Sequence, residues 1–229
     1  MELETLREKY AAVFAILNDT YGRPVWHSHG PPLDQLVGTI LSQATADVNT
    51  ERAYAALIAR FPDWESVMNA PPEEVVAAIR SAGLSNMKGP RIQAALRYVQ
   101  HERGELSLDF LADLPLAEAM AWLTAIDGVG PKTASIVLLF SLGRPAFPVD
   151  THVYRVTGRL GLIPERMNAN RAHDFLAALG APETYYPMHI NMIRHGREIC
   201  HARHPQCHIC PLQDLCDYYR RVVVRAADA

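Results

Sequence analysis

Cys200, Cys207, Cys210 and Cys216 are the only cysteines in this 229-residue chain, and they fall together near its carboxyl end with the spacing C-x6-C-x2-C-x5-C. Four thiolates in so short a span can close around one soft metal centre, and such a loop takes its shape from the metal. The Cys207–Cys210 step is a common bidentate bite. Structural zinc usually draws its ligands from two separated close pairs, whereas here one close pair stands between two single cysteines. Disulfide frameworks suit short secreted chains, and the amino terminus reads as a charged amphipathic helix rather than an export signal. The spacing thus favours an iron–sulfur cluster over zinc, with disulfides or free thiols last. His201, His204 and His208 lie nearby and read as solvent-exposed loop histidines.

At 25.5 kDa and 49% hydrophobic residues, the chain can bury a sizeable core in one large domain or two small ones. No apolar run approaches the roughly 20 residues that span a bilayer, so the expectation is a soluble, cytosolic protein with no membrane partner. The 22 basic and 25 acidic side chains give a net charge of −3. That excludes a global attraction for nucleic acid, and any DNA binding must use local geometry.

Helical periodicity dominates, and the class is all-α. The only alternating stretch is the short Val222 to Val224. Helices are expected over Leu33–Leu41 and Asp47–Phe61, then over Trp64–Met68, Pro72–Ser81 and Met87–Arg103, bounded by prolines and glycines. Leu116, Ala119, Met120, Leu123 and Ile126 make an apolar stripe that stops at Gly128. Pro131 opens the next helix at a first-turn position, and Ala134 to Phe140 is apolar on all sides, as in a helix buried at the centre of a domain.

Between those two helices lies Ile126-Asp127-Gly128-Val129-Gly130-Pro131-Lys132-Thr133, a tight helix-to-helix hairpin. Its glycines permit positive φ, and the free N–H groups opening the second helix suit a backbone phosphate. A nucleotide P-loop is the competing reading. It fails because Pro131 replaces the glycine before the lysine and because a helix, not a strand, precedes the turn.

Five stretches together resemble the endonuclease III family of helix-hairpin-helix DNA glycosylases: Leu41-Ser42-Gln43-Ala44-Thr45, Gly83-Leu84-Ser85-Asn86, Gly128 to Ala134, Pro148-Val149-Asp150-Thr151-His152, and the cysteine loop. The resemblance covers roughly Leu33 to Tyr219. It implies that Lys132 attacks the sugar C1′ of a flipped nucleotide, that Asp150 assists, and that the four cysteines hold a 4Fe-4S cluster. Gln43 and Leu84 match the positions that enter the base stack, Gln43 toward the vacated space and Leu84 as an apolar wedge. Gly128, Val129, Gly130 and Thr133 would hold phosphate at the hairpin, and His152, Arg155 and Arg203 are further candidate DNA contacts. The implied architecture is a helical barrel over residues 31–147, a cluster domain made of 1–30 plus 148–229, and a DNA cleft between them.

The residues make chemical sense on their own. Only lysine or a terminal amine can displace a base and then form a Schiff base with the opened sugar. The start of a buried helix disfavours the charged ammonium and helps free that nucleophile. Plainer roles are open too: Lys132 as a phosphate contact, Asp150 as the cap of a helix opening at Thr151, Leu84 as a core leucine. The expected activity is removal of oxidised pyrimidines with β-elimination at the abasic site, by a monomer acting on double-stranded DNA. A monofunctional mismatch or adenine glycosylase and a noncatalytic damaged-DNA-binding module are the alternatives. Adenine glycosylases lack the lysine and carry a further carboxyl-terminal domain. Three features depart from the family pattern: Asp127 where proline is usual, a long segment from Gly104 to Ala125, and Trp26-His27-Ser28-His29-Gly30, which carries no readable motif.

Overall fold

The structure, a computed structural model, describes residues 3–224, without the side chains of Val223 and Val224. Its regular elements among those residues are all helical. In chain order they are α1 (Leu3–Tyr21), α2 (Pro32–Ser42), α3 (Asp47–Arg60), α4 (Trp64–Asn69), α5 (Pro72–Ala78), α6 (Ser85–Arg103), α7 (Leu116–Thr124), α8 (Pro131–Ile136), α9 (Thr151–Leu160), α10 (Ala169–Ala177) and α11 (Tyr185–Glu198). Short 3-10 and π-helical turns join several of them. The chain divides into two compact units, one made of Ser28–Arg144 and the other of Met1–His27 with Pro145–Ala229.

Helix starts follow local chemistry. Pro32, Pro72 and Pro131 open α2, α5 and α8, where a missing N–H costs nothing. Asp63 and Asn168 cap α4 and α10 by accepting the N–H of Ser66 at 2.7 Å and of Arg171 at 2.9 Å.

In the Ser28–Arg144 unit, α2 buries Leu33, Leu36, Val37, Ile40 and Leu41 and packs against α3, α6 and α8. α8 runs into a π-helical turn at Val137–Ser141, and every residue from Thr133 to Ser141 is buried. This is the central apolar helix expected from Ala134 to Phe140, widened by the π turn in its second half. The helix expected over Pro72–Ser81 is instead divided: α5 ends at Ala78, and a 3-10 turn follows at Arg80–Ala82. α6 starts at Ser85, two residues before the expected Met87.

The Gly104–Ala125 segment is held internally. Arg103 lies 3.9 Å over the ring of Phe110, which meets Trp122 edge-on. Arg144 donates to the carbonyls of Leu111, Ala112 and Leu114. At the other end of the unit, the N–H of His29 bonds to Phe140 O and the Ser28 hydroxyl to Ser141 O. The unread His29 therefore serves as an anchor for the hairpin's second helix.

In the other unit, α11 packs against α1 and α9. Leu6, Tyr10, Val13 and Leu17 of α1, Val153, Val156 and Leu160 of α9, and Met188 and Met192 of α11 are buried. The alternating Val222–Val224 stretch forms no strand; it lies in a π-helical turn, Tyr219–Val224.

Candidate functional site

The hairpin follows α7. Ile126 and Val129 are buried while Asp127, Gly128 and Gly130 are exposed, so the turn is pinned by two apolar side chains and shows its backbone outward. Gly128 has φ +76, and the Val129 N–H closes the turn on Ile126 O at 3.0 Å. Val129 is thus engaged through its amide, and its side chain, like that of Thr133, faces the core. Lys132 is the second residue of α8 and half-buried.

Gln43, just past α2, reaches the hairpin. Its Oε1 accepts from Arg91 Nη1 at 3.1 Å and its Nε2 donates to Gly128 O at 3.4 Å. Arg91 lies so close to Gly128 that a Cβ there would stand 2.3 Å from Arg91 Nε. Sequence reasoning did not single out Arg91; one charge on an amphipathic helix carries no signal.

Leu84 is not a core leucine. It is 57% exposed and holds a left-handed backbone, φ 49 and ψ 29, directly before α6. A bulky residue is costly there, about 1–2 kcal/mol, and an exposed leucine recovers none of it by burial. Its neighbour Met87 is also exposed, at 46%.

In the other unit, Asp150 caps α9: its Oδ1 accepts from the Val153 N–H at 2.7 Å. The approach to it is fixed by two buried histidines. His173 and His189 donate through Nδ1 to the successive carbonyls of Phe147 and Pro148, each at 2.9 Å. His152 and Arg155 follow on α9. Arg155 donates to Cys200 O at 2.9 Å and to Gly196 O at 2.8 Å, with His152 Nδ1 at 3.0 Å, so its guanidinium supports the start of the cysteine loop. Arg203 is exposed within that loop.

All four cysteines line one recess together with Arg159 and His195. Arg159 donates to Cys200 Sγ at 3.3 Å and to the carbonyls of His201 and Ala202. The Tyr219 N–H points at Cys216 Sγ at 3.4 Å, and His195 Nε2 lies 3.6 Å from Cys210 Sγ. Tyr21 completes this second layer with its hydroxyl 3.1 Å from His195 Nδ1. His195 is 1% exposed, and burial pulls its pKa to about 4, so the ring is neutral. Its Nε2 can then carry a proton toward sulfur while Nδ1 accepts from tyrosine. His195 was not assigned that role from the sequence. His204 and His208 are exposed, as expected, and His201 is half-buried.

Burial raises the thiol pKa values of Cys207 and Cys216, and that of Cys210 to about 11, with neighbouring thiols adding to each rise. Four thiolates would not share this recess without a cationic centre to hold them. Among the described residues no three His, Cys, Asp or Glu groups come together tightly enough for a single metal ion. A cluster takes one thiolate at each of four irons, and one recess lined by all four cysteines, with N–H donors at the sulfurs of Cys200 and Cys216, fits it.

Residues 37–180 match the HhH-GPD superfamily of base excision DNA repair proteins, and residues 200–216 match the iron-sulfur binding domain of endonuclease III. The chain belongs to the endonuclease III family. It is 33% identical to endonuclease III of Thermotoga maritima over 195 residues, covering 85% of this chain and 87% of that one. A protein of Arabidopsis thaliana named as a DNA glycosylase is 39% identical over 168 residues, and the match spans 73% of this chain but 57% of that relative's length. An endonuclease III solved as a trapped covalent intermediate with DNA, an estranged-adenine complex, superposes with a TM-score of 0.79 at 27% identity. That likeness covers 96% of this chain and 98% of the other. The all-helical fold is therefore the endonuclease III fold, and the cofactor of this family member is a 4Fe-4S cluster.

Proposed function

We propose that the protein is a base-excision repair DNA glycosylase with abasic-site lyase activity, acting on oxidised pyrimidines in double-stranded DNA. One observation carries the reading: Lys132 stands in the first turn after the glycine hairpin of a chain whose family includes an enzyme trapped covalently on DNA. In this reading Lys132 Nζ, as the free amine, attacks C1′ of a flipped nucleotide and the base leaves with its bonding electrons, taking up a proton. Opening of the sugar ring, with O4′ taking up a proton, then leaves the remaining N–H on a protonated Schiff base. Abstraction of a C2′ proton then expels the 3′ phosphate by β-elimination, and water releases the lysine. Asp150 serves as proton acceptor and offsets positive charge on the sugar.

Several features support duplex engagement. Leu84 is an exposed apolar side chain on a constrained turn, suited to replace a flipped base in the stack. Gln43 is held beside the hairpin, ready for the unpaired partner base. The exposed backbone around Gly128 and Gly130 suits a phosphate, with His152 and Arg203 as further contacts. Cys200, Cys207, Cys210 and Cys216 are the ligands of the cluster, which shapes the loop bearing Arg203 and takes no part in the chemistry.

The test is borohydride trapping on a duplex with an abasic site. Wild-type protein should become covalently attached, and Lys132→Gln should not. Asp150→Asn should trap roughly 10²- to 10⁴-fold more slowly, the usual range for losing a positioned proton acceptor, while binding is kept. Adduct formation by Lys132→Gln at the wild-type rate would show that another amine is the nucleophile. No adduct with wild-type protein, with binding intact, would leave a monofunctional glycosylase or a binding module.

A further inference from the structure

Lys88 is the bulkiest fully buried side chain among the described residues, at 0% exposure. A lysine ammonium has three donors and no acceptor, and here all three are matched: Leu41 O at 2.6 Å, Thr45 Oγ1 at 2.6 Å and Ala82 O at 3.0 Å. All three partners are uncharged oxygens. Burial draws its pKa below the usual lysine value. A buried charge facing no carboxylate is costly unless local dipoles hold it.

The dipoles are identifiable. Leu41 is in the last turn of α2 and Ala82 closes the 3-10 turn Arg80–Ala82, so both carbonyls sit where a helical segment runs out of its own donors and carries negative partial charge. One ammonium caps both ends at once. The Thr45 hydroxyl, which has one proton, donates it to Ala82 O at 2.5 Å, with Gln43 O at 3.1 Å as the alternative acceptor, and this closes the node.

Two residues beyond each capped carbonyl stands one member of the pair assigned above to the base stack: Gln43 after Leu41, Leu84 after Ala82. Both turns also contain a non-glycine residue in left-handed backbone, Ala44 with φ 52 and Leu84 with φ 49. Such conformations persist only where the surroundings over-determine them. We propose that Lys88 is a positioning residue for duplex entry, its buried ammonium fixing the spacing and direction of the two turns so that Gln43 and Leu84 reach the stack together. The proposal rests on the DNA glycosylase reading and adds to it a side chain that never touches DNA. Methionine at this position keeps the length and apolar bulk but leaves the Leu41 and Ala82 carbonyls without a donor, and the turns are then free to separate.

The probe is an abasic-site oligonucleotide, presented as a single strand and as a duplex opposite guanine. The readout is the ratio of the two borohydride-trapping rates, duplex over single strand. Lys88→Met should lower that ratio about tenfold, within the range for coupled neighbours. In a Gln43→Ala/Leu84→Ala background, Lys88→Met should lower it no further, because its effect runs through those side chains. If Gln43→Ala/Leu84→Ala itself leaves the ratio at the wild-type value, the stack-entry reading fails and Lys88 has nothing to position. If that pair lowers the ratio but Lys88→Met leaves it unchanged, or lowers it additively in the double background, the positioning role is overturned. Should Lys88→Met lack a cooperative melt, Thr45→Ala removes one acceptor of the node and carries the same test. It should lower the ratio in the same direction and lose that effect in the double background; an unchanged or additive result overturns the proposal.

Discussion

Replacing Gly128 by alanine should strike two separate features of the hairpin, and their costs can be worked out from the geometry. At φ +76, an L-residue meets its own backbone, a penalty of about 1–2 kcal/mol. The new Cβ would also lie 2.3 Å from Arg91 Nε and 2.4 Å from Cδ, well inside contact distance, so the guanidinium must swing away. Its bond to Gln43 Oε1 is then lost, at a net cost of about 0.5–1.5 kcal/mol. The sum is roughly 1.5–3.5 kcal/mol. At about 2–4 °C per kcal/mol for a chain of this size, the melting temperature should fall by about 3–14 °C. Far-UV circular dichroism melts of Gly128→Ala, Arg91→Ala and the double variant separate the terms. With Arg91 shortened, only the φ penalty should remain, so Gly128→Ala should cost about 1–2 kcal/mol in that background. Equal costs in both backgrounds would show that Arg91 does not rest against Gly128. No loss in either would show that the turn is not held in the left-handed region.

The cluster should colour the purified protein brown, with broad absorbance near roughly 400 nm and about four irons per chain; one zinc and no iron would refute the assignment. Cys210→Ser should cost folding and solubility more than chemistry, and a cluster-free variant that melts like wild type and binds DNA normally would contradict that. Asp127→Asn should tighten DNA binding a few-fold at low salt and less as salt rises, since it removes an exposed negative charge beside the hairpin backbone. Unchanged affinity at low salt would mean that no phosphate comes near Asp127.

Much of this was legible from period and punctuation. Pro131 and the two hairpin glycines marked the turn, and the all-apolar stretch Ala134–Phe140 marked the buried helix. The cysteine spacing pointed to the cofactor. What escaped was fixed by tertiary contacts. The break between Ala78 and Arg80 follows from where Ala82 O must point, toward an ammonium from another helix. Leu84 is exposed because its turn is held from beneath, which no local pattern states. For two residues a signal did exist. Lys88 falls four before Ile92 and eight before Leu96, and His195 falls three after Met192 and seven after Met188, so each lies on its helix's buried stripe. A polar residue on an apolar stripe is a stronger hint than a surface charge, because burial requires it to have partners.

Lys88 and Lys132 show how position decides what the same side chain can do. Lys88 points its ammonium at the carbonyl ends of two helical segments, whose negative partial charge stabilises a cation with no water around it. Three hydrogen bonds, one for each N–H, leave it no lone pair to offer and no room to move, so it can clamp but not react. Lys132 is in the first turn of α8, beside the amino end, where the partial charge opposes an ammonium, and it is only half-buried. A nucleophile needs that combination of an unfavourable field for the charged form and access to a substrate. Methylating the accessible lysines under native conditions should therefore modify Lys132 and block trapping while leaving Lys88 untouched. Modification of Lys88 at a comparable rate, read by peptide mass, would mean that its node opens in solution and cannot hold the turns in place.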